Sequence, residues 1–246
     1  IMSMGECRPK QASTQLFCLD LHTWEWTKLA STLNTETMRA HHTFYLSKGM
    51  LWSFFGSGSS AVSVLDVKER TYREVKSENE PSNIFGHCGG LVNGKDVVVF
   101  GGVPSWSRSA AVTADLHVFD TKTNKWKKPN ISTKCPEARY FHTMSSMKNP
   151  NRLILFGGRK KEKEVFGDIW VLNTESWIWL SCSVSGDTRP LGRAGHSLTQ
   201  IGDYKWLLYG GWDGSVDPDT NEEVGALNDA WVLHQTGETS FSWREL

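Results

Sequence analysis

The 246-residue chain has no charge bias, with 27 Lys and Arg against 27 Asp and Glu. A balanced chain offers no field to hold a polyanion, so nothing in it argues for nucleic acid or an anionic membrane as a partner. It also lacks an apolar run of membrane-spanning length and a signal-like start. Disulfide chemistry has little to work with. Cys7, Cys18, Cys88, Cys135 and Cys182 are scattered, and an odd set of five fits free thiols in a reducing compartment better than a cross-linked frame. A cytoplasmic or nuclear location is the expectation. Helical periodicity is missing as well. Apolar residues recur at a period near two, in short runs bounded by Gly, Asn, Asp and Ser, which is the pattern of strands and turns.

Twelve Trp and 22 Gly are unusually many, and they are spaced. Asp115-Leu-His-Val-Phe-Asp120 leads to Trp126, Asp168-Ile-Trp-Val-Leu-Asn173 to Trp179, Gln15-Leu-Phe-Cys-Leu-Asp20 to Trp26, and Ala61-Val-Ser-Val-Leu-Asp66 to Tyr72, each over eleven positions. Asp229-Ala-Trp-Val-Leu-His234 leads to Trp243 over fourteen, with a longer turn between. Upstream of these runs stand apolar strands closed by glycine: Gly56, Gly101-Gly102, Gly157-Gly158 and Gly210-Gly211. Before those come His42, His87, His142 and His196. Each unit reads as four short strands in about 50 residues, a propeller-blade period rather than a helical-solenoid one.

The glycine pair, and the Trp that follows an Asp-Leu-x-Val-Phe-Asp strand, resemble the kelch-repeat family over about Gln15 to Trp243. The resemblance implies an all-β propeller of four-stranded antiparallel blades. Five are visible in residues 1–246 as one domain: about 1–30 (partial), 39–76, 85–128, 139–182 and 193–246. Gly5-Glu6 and Gly56-Ser-Gly58 depart from the glycine pair. The partial first unit, with Ile1–Gly5 as its candidate second strand, suggests a fragment of a five- or six-bladed parent. Gly101, Gly102, Trp126, Gly157, Gly158, Trp179, Gly210, Gly211 and Trp243 are the repeat's structural residues, with the Trp packing between blades.

Antiparallel strands put the loops after the glycine pairs and the residues before each His at one end of the ring. Arg39, Arg139 and Arg193 each precede a His by three positions, while Ile84 holds that place before His87. The recurrence reads first as a loop-closing device and second as a set of carboxylate forks. Trp106, Arg108, Arg159, Lys160 and Lys161 would form a basic sector, faced by an acidic wall from the loop that carries Trp212 and Asp213. Long loops on a rigid frame are where function concentrates. Kelch propellers often take peptides on this face.

Chemistry is harder to find. No Cys/His spacing suits zinc, and no nucleophile elbow or phosphate loop is present. The four aligned histidines could ring the axis as metal ligands, but their Ser, Thr and Gly neighbours suggest hydrogen-bonded core residues. A copper-oxidase kelch site needs a Tyr/His ligand set with a Cys–Tyr crosslink, and only five Tyr are available, three of them at strand positions. The iron motif of plant specifier kelch proteins fails because Leu172 stands where Glu164-x3-Asp168 requires a His. Asn130-Ile-Ser132 is a formal glycosylation triplet. The expectation is a non-catalytic module that needs no metal or cofactor and binds a protein or peptide. The last two units look most like F-box/kelch substrate receptors, so ubiquitin-ligase subunits would join through segments outside the chain. A cytoskeletal or trafficking scaffold is the alternative, and an enzyme with a metal at the propeller mouth the alternative of another class.

Overall fold

The computed structural model describes residues 6–7, 11–12, 16–30, 43–55, 62–104, 110–132, 134–161, 163–220 and 222–246. Every regular element among them is a strand, and none is a helix long and apolar enough to cross a membrane. Three sheets of four antiparallel strands follow in chain order. Sheet II is β5 to β8 (Thr43–Ser47, Met50–Phe54, Val62–Asp66, Thr71–Val75), sheet III β9 to β12 (Cys88–Val92, Asp96–Phe100, Leu116–Asp120, Lys125–Lys127) and sheet IV β13 to β16 (Thr143–Ser146, Arg152–Phe156, Ile169–Asn173, Ile178–Ser181). Sheet V joins β18 to β21 (Ser197–Gly202, Lys205–Tyr209, Ala230–Gln235, Ser240–Glu245) to the short β17 (Ser183–Ser185). Two hairpins precede them: β1 with β2 (Glu6–Cys7, Gln11–Ala12) and β3 with β4 (Leu16–Leu19, Trp26–Ala30). Residues 1–5 lie outside the described residues, as do Gly56 and Gly58.

The turns explain the eleven-residue spacing. Asp66, Asp120 and Asn173 each end a third strand and Asp20 follows β3, and each side-chain oxygen accepts hydrogen bonds from the backbone N–H groups two and three residues on. Four residues after each of them the chain turns left-handed, at Trp24, Arg70, Asn124 and Trp177. This Asx-type turn has a fixed length, so the next aromatic falls in register opposite the same strand position: Trp126 opposite Phe119, Trp179 opposite Leu172. In sheet V, His234 cannot cap in that way and the turn is longer, yet Trp243 still pairs with Leu233. Between β9 and β10, Asn93 and Gly94 both have positive φ, the two-residue turn that matches strand twist.

First strands of neighbouring sheets touch: β5 and β9, β9 and β13, β13 and β18. The sheets therefore stack face to face around a shared inner side, in the propeller arrangement. Three cores fill the seams, one between II and III, one between III and IV, one between IV and V. In each seam an indole from one sheet meets a phenyl ring that ends the second strand of the sheet before it. Trp126 lies 5.0 Å from Phe55 and 5.7 Å from Phe54, Trp179 5.0 Å from Phe100, and Trp243 5.1 Å from Phe156. By strand pairing, Phe54, Phe100, Phe156 and Tyr209 are equivalent. The three phenylalanines are 0% exposed, but Tyr209 is 55% exposed, and Trp26 of the first hairpin is 54% exposed. Those two rings hold the positions of the others, and among the described residues no neighbouring sheet covers them.

Two outer edges are covered by the chain itself. β17 leaves sheet IV and pairs in parallel with β21, the outer strand of sheet V. Glu78, after sheet II, does the same to sheet III: its N–H donates to the Asn124 carbonyl and its carbonyl accepts from the Trp126 N–H. β12 and β21 thus meet solvent through a short strap rather than as a bare ladder. Trp179→Ala should cost about 3–5 kcal/mol, the usual range for emptying a buried aromatic site. Trp26→Ala should cost less than about 1 kcal/mol, as at other exposed positions. Urea unfolding of both variants checks the contrast.

Candidate functional site

Second-to-third-strand loops and first-strand entries do share one end of the sheets. Phe85 pairs with Val103, Tyr140 with Arg159 and Ala194 with Trp212 across them. The close approach needs glycine. Gly157 has φ +67, and a Cβ there would sit 2.6 Å from the Arg193 carbonyl and 2.7 Å from His196 Cε1. Next to it, the Gly158 N–H donates to the same Arg193 carbonyl at 2.8 Å.

Arg139 and Arg193 do not belong to a ligand surface, which corrects that element of the expectation. Both are 0% exposed. Nη1 and Nη2 of Arg139 take the two oxygens of Asp168 at 2.6 and 2.9 Å, Nη1 also reaches the Gly157 carbonyl at 2.9 Å, and Nε donates to the Glu137 carbonyl at 3.0 Å. Arg193 repeats every contact with Asp229, Gly210 and Leu191. Trp170 and Trp231 donate their indole N–H groups to the same carboxylates at 2.7 Å. With four of five N–H groups engaged and no exposed surface, neither fork is offered to a ligand. Each closes the loop instead, by tying the strand-one entry to the glycine pair and to the start of strand three. Burial raises the cost of charge on Asp168, yet the Arg139 pair prevails and its pKa is lowered. The Arg193 hydrogen bonds hold Asp229 down to about 2. In sheet III, Ile84 stands in for the arginine, and Asp115 turns to Lys128 at 2.8 Å.

In the basic sector, Arg159, Lys160 and Lys161 each have an acid. Lys160 meets Glu137 at 3.0 Å, Lys161 meets Glu164 at 3.8 Å, and Arg159 Nη1 donates to Glu223 at 2.7 Å. Exposed pairs of this kind are worth little to stability, but they cancel the field of the patch. Arg159 is placed differently from the lysines. Its guanidinium lies 5.0 Å from the Tyr140 ring, 5.3 Å from Phe141 and 5.1 Å from Trp212. Three rings and one carboxylate therefore hold it. Glu223 comes from the 212–226 loop, whose arms pair at Trp212 with Ala226 and at Val216 with Glu223. Asp213 and Asp217 shape that loop by accepting backbone N–H groups at 2.8 to 2.9 Å rather than standing free. Arg39, Trp106 and Arg108 lie outside the described residues.

His87, His142 and His196 are buried in the seams. His87 and His196 each place Nε2 within hydrogen-bond distance of the first residue of the preceding sheet, Thr43 at 3.0 Å and Thr143 at 2.8 Å. The equivalent residue for His142 is Cys88, whose sulfur accepts the Met144 N–H instead, and both ring nitrogens of His142 lack partners. Burial, aided by Arg139 and the other two histidines, pushes the His142 pKa well below its ordinary value. Burial and Arg193 push His196 down to about 3. Among the described residues no group of three or more His, Cys, Asp or Glu is placed to hold a metal ion.

Residues 91–246 match the model of the KLHDC2/KLHL20/DRC7 Kelch-repeats domain. Among curated relatives, Acyl-CoA-binding domain-containing protein 4 of Arabidopsis thaliana is 26% identical over 89% of the chain and 34% of its own length. Mouse Kelch domain-containing protein 1 is 34% identical over 54% of the chain and 29% of its own length. Tip elongation aberrant protein 1 of Schizosaccharomyces pombe is 29% identical over 85% of the chain and 18% of its own length. The chain thus spans about a third or less of these relatives. Among solved structures, YjhT superposes with a TM-score of 0.66 at 16% identity, covering 85% of this chain and 64% of that one.

Three outcomes follow from these side chains. Arg139→Met leaves Asp168 uncompensated and two carbonyls unpaired, and should cost about 3–5 kcal/mol in urea unfolding. Lys160→Ala should stay within about 0.5 kcal/mol. For pH, the native state holds His142 and His196 neutral, while the unfolded chain protonates them near pH 6.5. Below that value the unfolded state binds more protons, so stability falls as pH drops through the window from about 6.5 toward 3. The unfolding free energy at pH 5.5 should be lower than at pH 7.5 by roughly 1.4 kcal/mol per buried histidine, and the gap should narrow in His142→Asn.

Proposed function

The chain belongs to the kelch-repeat family, and from that premise we propose that it is a recognition propeller that holds a protein or peptide on its long-loop face without catalysing a reaction. The observation that carries this reading is Arg159. It is a cation pre-oriented by Tyr140, Phe141 and Trp212, and its one acidic partner, Glu223, sits on a movable class of element, a long loop. A guanidinium fixed in this way loses little entropy when it meets a carboxylate or a main-chain carbonyl. Trp212 beside it supplies the aromatic anchor typical of binding hot spots. The buried histidines favour a non-catalytic role, because they lie inside the seams, where a substrate could reach them only by prising neighbouring sheets apart.

Relatives named for their kelch domains, and Host cell factor of Drosophila melanogaster at 29% identity over 64% of the chain, support a protein-interaction propeller. The finer reading is a substrate receptor of a ubiquitin ligase acting in the cytoplasm or nucleus, with ligase subunits bound through segments beyond this chain. A cytoskeletal scaffold is the second reading, favoured by the similarity to the yeast tip-elongation protein and to a flagellar dynein alpha chain of Chlamydomonas reinhardtii.

Peptides selected by display on the protein should bind Arg159→Gln at least tenfold more weakly, a loss of about 1.4 kcal/mol. They should bind Glu223→Gln no more weakly than the parent. Binding that survives Arg159→Gln would move the site off this face. Co-purification of ubiquitin-ligase subunits with the full-length protein would separate the receptor from the scaffold.

A further inference from the structure

The end of the sheets opposite the long loops holds a cavity of its own. It lies where the β13–β14 turn meets sheet V and measures about 250 Å³. Its wall is made by Met147, Lys148, Asn149, Arg152, Tyr204 and Gln235. Two of these six are cations and none is an acid. The counter-charges exist but stand outside the wall, on exposed turns. Lys148 Nζ lies 2.8 Å from Asp203, and Arg152 Nη2 donates to Glu238.

Arg152 is the informative residue. Its side chain is mostly buried, and Nε has no hydrogen-bond partner. Nε and Nη2 form one edge of the guanidinium, the edge that receives a carboxylate side-on through two parallel bonds. Glu238 engages that edge at one point only and leaves the other donor orphaned, which is a costly arrangement for a buried group. Lys148 is the second donor. Its ammonium sits 4.9 Å above the Tyr204 ring and against Asp203, so its position is fixed while some of its hydrogen-bonding capacity stays free. Met147 and the Tyr204 ring give the cavity an apolar side that suits a short methylene stem.

We propose that this cavity is an anion site that takes an aliphatic carboxylate. The Nε/Nη2 edge of Arg152 swings from its one-point pair with Glu238 to a two-point pair with the ligand, and Lys148 holds the ligand's charge from the Tyr204 side. The carboxylate belongs either to a small dicarboxylic acid or to an Asp or Glu side chain of a partner protein. The site shares no residue with the loop face, so the fate of one does not decide the other.

Isothermal titration of the protein at low ionic strength tests this with succinate, with its neutral isostere succinamide, and with the blocked tripeptide acetyl-Ala-Glu-Ala-amide. Saturable binding of succinate or of the peptide at about 1 mM or tighter is expected, with none for succinamide. Glu238→Gln should tighten binding several-fold, because it removes the internal competitor. Arg152→Gln should weaken it at least tenfold. Lys148→Met, at an exposed position that folding tolerates, should weaken it too. A tighter peptide assigns the site to a partner's side chain, a tighter succinate to a free acid. No saturable heat up to about 10 mM, equal binding of succinamide, or binding unchanged in both Arg152→Gln and Lys148→Met would overturn the proposal.

Discussion

A four-stranded sheet cannot bury both of its own faces, and in this protein the contact that solves the problem is an indole of one sheet laid on the terminal phenyl ring of the sheet before it. Trp126, Trp179 and Trp243 meet Phe54, Phe100 and Phe156 in that way. Each ring carries a large apolar area and a preferred tilted geometry, so the pair sets both the strength and the angle of the seam. The glycine pairs follow from it. Once the rings bring two sheets together, the entry backbone of the later sheet passes within contact distance of Gly101 and Gly157, where a side chain would meet the carbonyls of Arg139 and Arg193. Aromatic depth and backbone closeness are two sides of one requirement.

The same crowding decides where charge can go. An arginine at the seam must be neutralised in place, and Asp168 and Asp229 do so with both oxygens while Trp170 and Trp231 steady them. Buried pairs of this sort lock geometry more than they add net stability. Their effect on the loop face is indirect: the most regular cations in the sequence are withdrawn from solvent. On the proposed reading, recognition falls to the irregular residues, with Arg159 in its aromatic setting as the anchor.

Strand positions, turn positions and the inter-sheet indoles were legible because each is fixed by local chemistry at constant spacing: the Asx oxygen two and three residues before its N–H partners, the left-handed residue after it, the aromatic in register beyond. Arg139 and Arg193 were harder, since each has a partner 29 or 36 residues away. A signal was nevertheless present. Asp168 and Asp229 open third strands in the same two units that carry the arginines, and the unit with Ile84 keeps Asp115 but pairs it with Lys128. The setting of Arg159 could not be read along the chain, because Tyr140 and Phe141 arrive from the preceding entry and Trp212 from the next unit. The odd histidine was equally hidden. Cys88 follows His87 just as Thr43 and Thr143 follow His42 and His142, but only the structure shows that this residue meets the histidine of the next unit.

The parallel straps bear on how such a chain can be cut and rejoined. Glu78 and β17 each lie beyond the last strand of one sheet yet supply the outer border of the next. A segment excised at the visible limits of a sheet would therefore lose its own border and strip nothing from its predecessor. The exchangeable module of this architecture begins several residues earlier than the sheet it serves. Grafts, circular permutations and truncations that respect that offset keep the hydrogen bonds of the outermost strand, whereas cuts at the sheet boundary expose it to association with other chains.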